Sequence, residues 1–80
     1  MKETEELDLS KLPVGKRGKV VSLQAEGLTR SRLLDLGLIP ETVVEVIRQS
    51  PAGDPIAYGI RGAIIALRSE VSSLITIHPL

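Results

Sequence analysis

Five short strand-like apolar runs in this 80-residue chain are each stopped by glycine, proline or a polar cluster, and only two brief segments have helical character. That pattern constrains the fold more than any other feature. "GKVVSLQ" (Gly18–Gln24), "TVVEVIRQS" (Thr42–Ser50), "IAYGI" (Ile56–Ile60), "AIIALR" (Ala63–Arg68) and "ITIH" (Ile75–His78) read as strands. "PAGDP" (Pro51–Pro55) reads as a hairpin loop, and Arg61–Gly62 as a tight turn. In "IAYGI" the large residues Ile56, Tyr58 and Ile60 alternate with small ones and share one face. So little helix cannot cover a flat sheet, so the strands are expected to curl into a small closed barrel without exposed edges.

The stretch "SRLLDLGLIPETVVEV" (Ser31–Val46) holds the helix. Thr29 suits its N-cap, with Leu28 stapled onto Leu33, and the helix is expected from about Arg30 to Asp35. Gly37 suits the left-handed stop, and Leu38 then folds back on Leu33 as a Schellman motif favours. Pro40 turns the chain into the next strand. Later, Ser69 as cap and Glu70 at the first position suggest one more helical turn in "SEVSSL". The expected fold class is mainly β: an SH3-like barrel of about five strands with one short α-helix and a C-terminal helical turn. Residues 1–6, with four charges, are expected to form a mobile arm before a single domain at 7–80.

Ten basic and ten acidic residues cancel, and Tyr58 is the sole aromatic. Binding held by nucleic-acid phosphates favours a basic excess, and single-strand binders need aromatic platforms, so nucleic acid is a weak candidate. The absence of cysteine excludes disulfides and thiolate metal sites. No apolar run reaches the roughly 20 residues of a membrane span, and "MKETEEL" has no signal-peptide core. A cytoplasmic location is the expectation.

Catalytic machinery is not visible. The single histidine, His78, has no carboxylate in evident relation to it and is at most an adventitious metal ligand. Asp35, Glu41, Glu45, Asp54 and Glu70 scatter among turns and polar strand positions. "VGKRGKV" lacks the spacing of a phosphate loop, and no helix follows it. No catalytic, cofactor-binding or metal-ligating residue is therefore assigned, and no enzyme activity is expected. What remains is surface: a two-turn helix cannot bury all five of its leucines beside Arg30 and Arg32, and leucine with arginine suits a protein contact.

The segments "RLLDLGLIPETVVEV" and "SPAGDPIAYGIRGAIIALRSEV" resemble the FeoA family, small proteins associated with the ferrous iron transporter FeoB. The pattern R-L-x-x-L-G-L/I-x-P-G is met at Arg32, Leu33, Leu36, Gly37, Leu38 and Pro40. G-D-P-I is met at Gly53 to Ile56, and G-x-x-I/L-x-L-R at Gly62, Ile65, Leu67 and Arg68. The resemblance implies an SH3-like barrel and a non-enzymatic accessory module that binds the cytoplasmic part of FeoB and is recruited through it to the inner face of the membrane. Partner-binding candidates are Arg30, Arg32, Leu34 and Leu38, with Tyr58 and Arg61 as additions. Weak self-association is left open. One position departs from the pattern: Glu41 follows the proline where the family has glycine, so a type I turn is expected instead of type II. Two alternatives stand beside this reading. "GxxGxV" at Gly15 to Val20 resembles the start of KOW-type barrels associated with RNA or ribosomes, and the same small barrel occurs as a regulatory module of metal-dependent repressors.

Overall fold

Six short antiparallel strands wrap one cluster of apolar side chains. They are β1 (Leu7–Asp8), β2 (Arg17–Leu23), β3 (Val43–Gln49), β4 (Ile56–Ile60), β5 (Ala63–Leu67) and β6 (Ile75–Pro79), with α1 (Gly27–Asp35) and α2 (Ser69–Ser72) between them. The computed structural model describes residues 5–80. Residues 1–4 of the expected arm lie outside them, and Glu5 and Glu6 are exposed without regular structure.

The sheet runs β1-β6-β2-β3-β4-β5, each neighbour antiparallel. Inward positions follow the two-residue period of a strand: Val44 and Val46 on β3, Ile56, Tyr58 and Ile60 on β4, Ile75 and Ile77 on β6, all nearly or fully buried. Residues from five strands meet in one cluster, which requires the sheet to curl. Bulges between Val20 and Ser22 and between Val46 and Arg48 supply the bend.

The mainly β architecture agrees with expectation, and the strand count rises to six. The added strand is β1, which pairs Leu7 with Ile77 and Asp8 with Thr76. The chain then enters a 3₁₀ turn, Leu9–Lys11, that drives Leu9 and Leu12 into the core. Full closure is not reached: among the described residues β1 and β5 stand at the two ends of the ladder and do not pair with each other. A two-residue β1 is too short to span the gap, and the 3₁₀ turn packs on α2 instead.

Three local expectations are corrected. First, α1 begins at Gly27 with Glu26 as N-cap and no side-chain cap, so Thr29 lies inside the helix. Gly27 adopts φ 62 and turns the chain directly into the helix, whose first N–H groups receive no side-chain cap. Leu28 is consequently 75% exposed and makes no staple with the buried Leu33. Second, Glu41 adopts φ 81, while the Thr42 N–H donates to the Ile39 carbonyl at 3.1 Å. The turn therefore has the positive third-residue φ of type II despite the missing glycine. Flanking hydrogen bonds explain why: Glu41 N–H donates to Val20 O at 2.9 Å, and Val20 N–H to Thr42 O at 2.8 Å, locking the turn onto β2. Third, Ser69 does not cap α2. Arg68 occupies the N-cap position, and the Ser69 N–H is satisfied by Asp54 Oδ1 at 2.7 Å from the β3–β4 loop.

Candidate interaction surface

The end of α1 is a Schellman motif, which fixes how the helix sits on the sheet. Leu38 N–H donates to Leu33 O and Gly37 N–H to Leu34 O, both at 3.0 Å, with Gly37 at φ 99. Leu33 and Leu38 anchor this end in the core at 2% and 0% exposure.

With the helix anchored so, Thr29, Arg32, Leu33 and Leu36 follow the i, i+3, i+4, i+7 spacing of one face. They line a cleft of about 230 Å³ whose opposite wall is Leu67 and Val71, at the end of β5 and in α2. The cleft is apolar at its base, with Arg32 at its edge and Leu36 still partly open to solvent. Leu28 stands one turn before Arg32 and adds a second exposed leucine to this side.

The expected contact residues separate into two groups. Arg30, Arg32 and Arg61 are exposed and Leu34 is half-buried. Arg30 bends away from the cleft, its Nη1 donating to the Leu23 carbonyl at 3.4 Å. Arg61 reaches over Gly37 at the helix end. Leu38 and Tyr58 are both fully buried and belong to the core, so they are withdrawn from the surface. The accessible leucines beside the helix are Leu28 and Leu36, neither of which is among the contact residues expected from sequence. The signal for Leu36 was present, since position 36 completes the helical stripe that begins at Thr29.

Tyr58 carries the clearest electrostatic perturbation. Burial pushes its phenol above the ordinary value of 10.0, Ser72 partly offsets this, and Asp54 and Asp8 add to it. Its hydroxyl makes no well-formed hydrogen bond. His78 is half-buried on β6, its Nδ1 without a partner, in a hollow shared with Glu6, Lys19 and Glu41. Glu41 turns to Lys19 there, at 3.6 Å. Among the described residues no three metal-binding side chains come together.

A cleft of this kind suits binding, and comparison with known proteins supplies its context. The profile described as "FeoA domain" matches residues 7–79. The chain belongs to the FeoA family. It is 29% identical over 70 residues to the Fe(2+) transport protein A/Fe(2+) transporter FeoB fusion protein of Porphyromonas gingivalis, covering 88% of this chain and 8% of that protein. The solution structure of the FeoA protein from Chlorobium tepidum superposes with a TM-score of 0.87 at 39% identity, over 92% of this chain and 70% of that one. A zinc complex of Stenotrophomonas maltophilia FeoA, described as a prokaryotic SH3 domain protein, gives 0.80 at 25% identity, over 89% and 88%. The fold is thus the SH3-like fold of FeoA. A manganese-dependent transcriptional repressor also superposes, at 0.85 and 17% identity over 100% of this chain and 45% of that one, a likeness of fold alone. The family match favours the iron-transport reading over the repressor module, and gives the RNA-associated barrel no support.

Proposed function

We propose that this FeoA-family chain is a non-enzymatic accessory module of ferrous iron transport that binds the cytoplasmic part of a FeoB-type transporter. The observation that carries the reading is the Porphyromonas gingivalis relative, named as a fusion of an Fe(2+) transport protein A with FeoB. Fusion keeps two partners at high effective concentration, and it is most useful where their separate contact is weak. The chain would work in the cytoplasm, held at the inner face of the membrane by its partner. No helix among the described residues is long and apolar enough to cross a membrane itself.

The contact is assigned to the cleft between α1 and α2. Leu36 and Leu28 offer apolar area, and Arg32 at the rim offers a bidentate donor for a carboxylate of the partner. Arg30 turns to the Leu23 carbonyl, Arg61 covers Gly37 and Leu34 is half-buried, so these three expected contacts lie outside the cleft. Binding changes transport only if the module prefers one transporter state over another, because a ligand shifts an equilibrium by its differential affinity. A patch this small predicts a reversible contact.

The test is capture of the purified chain by the transporter's cytoplasmic region, with the wild type and with an Arg32→Glu, Leu36→Asp pair. Both positions are exposed, so the pair is expected to fold, which backbone NMR spectra check. Loss of capture with an unchanged fold supports the cleft. Equal capture removes the cleft, and no capture of the wild type removes the partner.

A further inference from the structure

β5 closes one side of the sheet with its outer edge open. The two-residue turn at Arg61–Gly62 makes Ile60 and Ala63 a hydrogen-bonded pair, so Ala63, Ile65 and Leu67 direct their N–H and C=O groups at β4. Ile64 and Ala66 direct theirs outward, and among the described residues nothing pairs with them. Natural edge strands are commonly blunted by a charge, a proline or a bulge. "AIIAL" has no charge and no proline, its pairing with β4 is regular, and Ile64 is 69% exposed.

We propose that β5 is a self-association edge, through which two copies of this chain pair antiparallel about a two-fold axis at Ile65. The strand is complementary to itself in this register. Ile64 of each copy lies opposite Ala66 of the other, so both outward N–H groups and both outward C=O groups of each strand find a partner. A shift of one residue sets outward groups against inward ones and forms no ladder. A shift of two sets Ile64 against Ile64 on one side, or Ala66 against Ala66 on the other. Only the proposed register places large against small.

Side-chain shape supports the same register. Beside Ala66 the outer face of the sheet dips into a hollow of about 210 Å³ over Ala57, walled by Arg48 and Pro55. The isoleucine at position 64 of the second copy meets that hollow, and the reverse contact follows by symmetry. On the inner face the half-buried Ile65 covers its own counterpart. With zero formal net charge, no overall repulsion opposes association. One five-residue strand buries less than the roughly 1,200–2,000 Å² of a stable complex, so the dimer is weak and reversible.

The experiment is sedimentation of the isolated chain over roughly 20 µM to 2 mM, the concentrations at which a weak dimer becomes populated. It needs no transporter, so it stands or falls apart from the function proposed above. The expected result is a shift from monomer to dimer, abolished in Ile64→Lys and in Ala66→Pro, where proline removes only a donor that β4 does not use. A monomer throughout overturns the proposal, as does a dimer that survives both substitutions. A monomer whose Ile64 and Ala66 amides gain exchange protection only with the transporter's cytoplasmic region assigns the edge to that partner and overturns it too. The register is read separately. The chain has no native cysteine, and Ile65→Cys is expected to form an intermolecular disulfide at least tenfold faster than Ala63→Cys, which lies opposite Leu67. Equal rates overturn the two-fold axis at Ile65.

Discussion

The side chain of Arg61 lies across Gly37: a Cβ on Gly37 would stand 2.7 Å from Arg61 Cδ and 3.6 Å from Ile60 Cγ2. The β4–β5 turn is thus seated on the end of α1, and two motifs far apart in the chain share one contact. Gly37 meets two demands there, a left-handed φ of 99 and the absence of a side chain under the arginine.

Gly37→Ala is therefore expected to destabilise the fold by about 1–3 kcal/mol, combining left-handed strain with displacement of Arg61. Arg61 is flexible and exposed, so the displacement is the smaller part. Denaturant melts of Gly37→Ala with and without Arg61→Ala separate the two: the double variant should recover the crowding and keep the strain. Full recovery would show that φ costs nothing at this turn.

Glu41 presents the reverse case, a side chain where the backbone favours glycine. Its φ of 81 is imposed by hydrogen bonds to β2, and its carboxylate gains only an exposed contact with Lys19 at 3.6 Å. Such pairs contribute little, at most about 1 kcal/mol. Glu41→Gly should thus raise stability by about 0.5–1 kcal/mol, the relieved strain exceeding the added freedom of the unfolded chain. A higher denaturation midpoint checks this, and a lower one would mean that the turn tolerates glutamate without strain.

These two turns mark where the sequence was legible and where it was not. Gly37, Leu38 and Pro40 announced a helix stop and a turn because each has a single-residue cause in φ or in a missing donor. Glu41 was misread because its conformation is set by Val20, which is distant in sequence. β1 went unseen for the same reason, since two residues become a strand only by pairing with Thr76 and Ile77. The five longer strands needed no such help, being bounded by glycine, proline and polar residues. Tyr58 belongs to the core and not to the surface, and its alternation with Ile56 and Ile60 already puts it on a shared apolar face. The cleft is half visible in the sequence: Arg32 lines it, but adjacency to the arginines points to Leu34 and Leu38, whereas helical phase leads to Leu36.

The leucines of α1 give a direct stability test of that phase. Leu33 is 2% exposed and Leu28 is 75% exposed. Leu33→Ala should cost about 2–5 kcal/mol, the range for a buried leucine, and Leu28→Ala should stay within about 0.5 kcal/mol of wild type. A large loss at Leu28 would restore the staple that the structure lacks. A near-neutral Leu28→Ala leaves that leucine free for a partner.

Tyr58 predicts how the fold fails in alkali. Its folded pKa lies above the 10.0 of the unfolded chain, chiefly through burial. Between those two values the unfolded state has lost a proton that the native state still holds, so stability falls as pH rises. The contribution is complete below about pH 10 and is lost progressively above it. Because Tyr58 is the sole tyrosine, phenolate absorbance reports this one group, and it should rise together with unfolding and not before. Tyr58→Phe removes a buried hydroxyl without a well-formed hydrogen bond, so at neutral pH it should lie within about 1 kcal/mol of wild type. Above pH 10 its denaturation midpoint should decline less steeply than that of the wild type. Ionisation of Tyr58 in the still-folded protein would break the link between burial and alkaline unfolding.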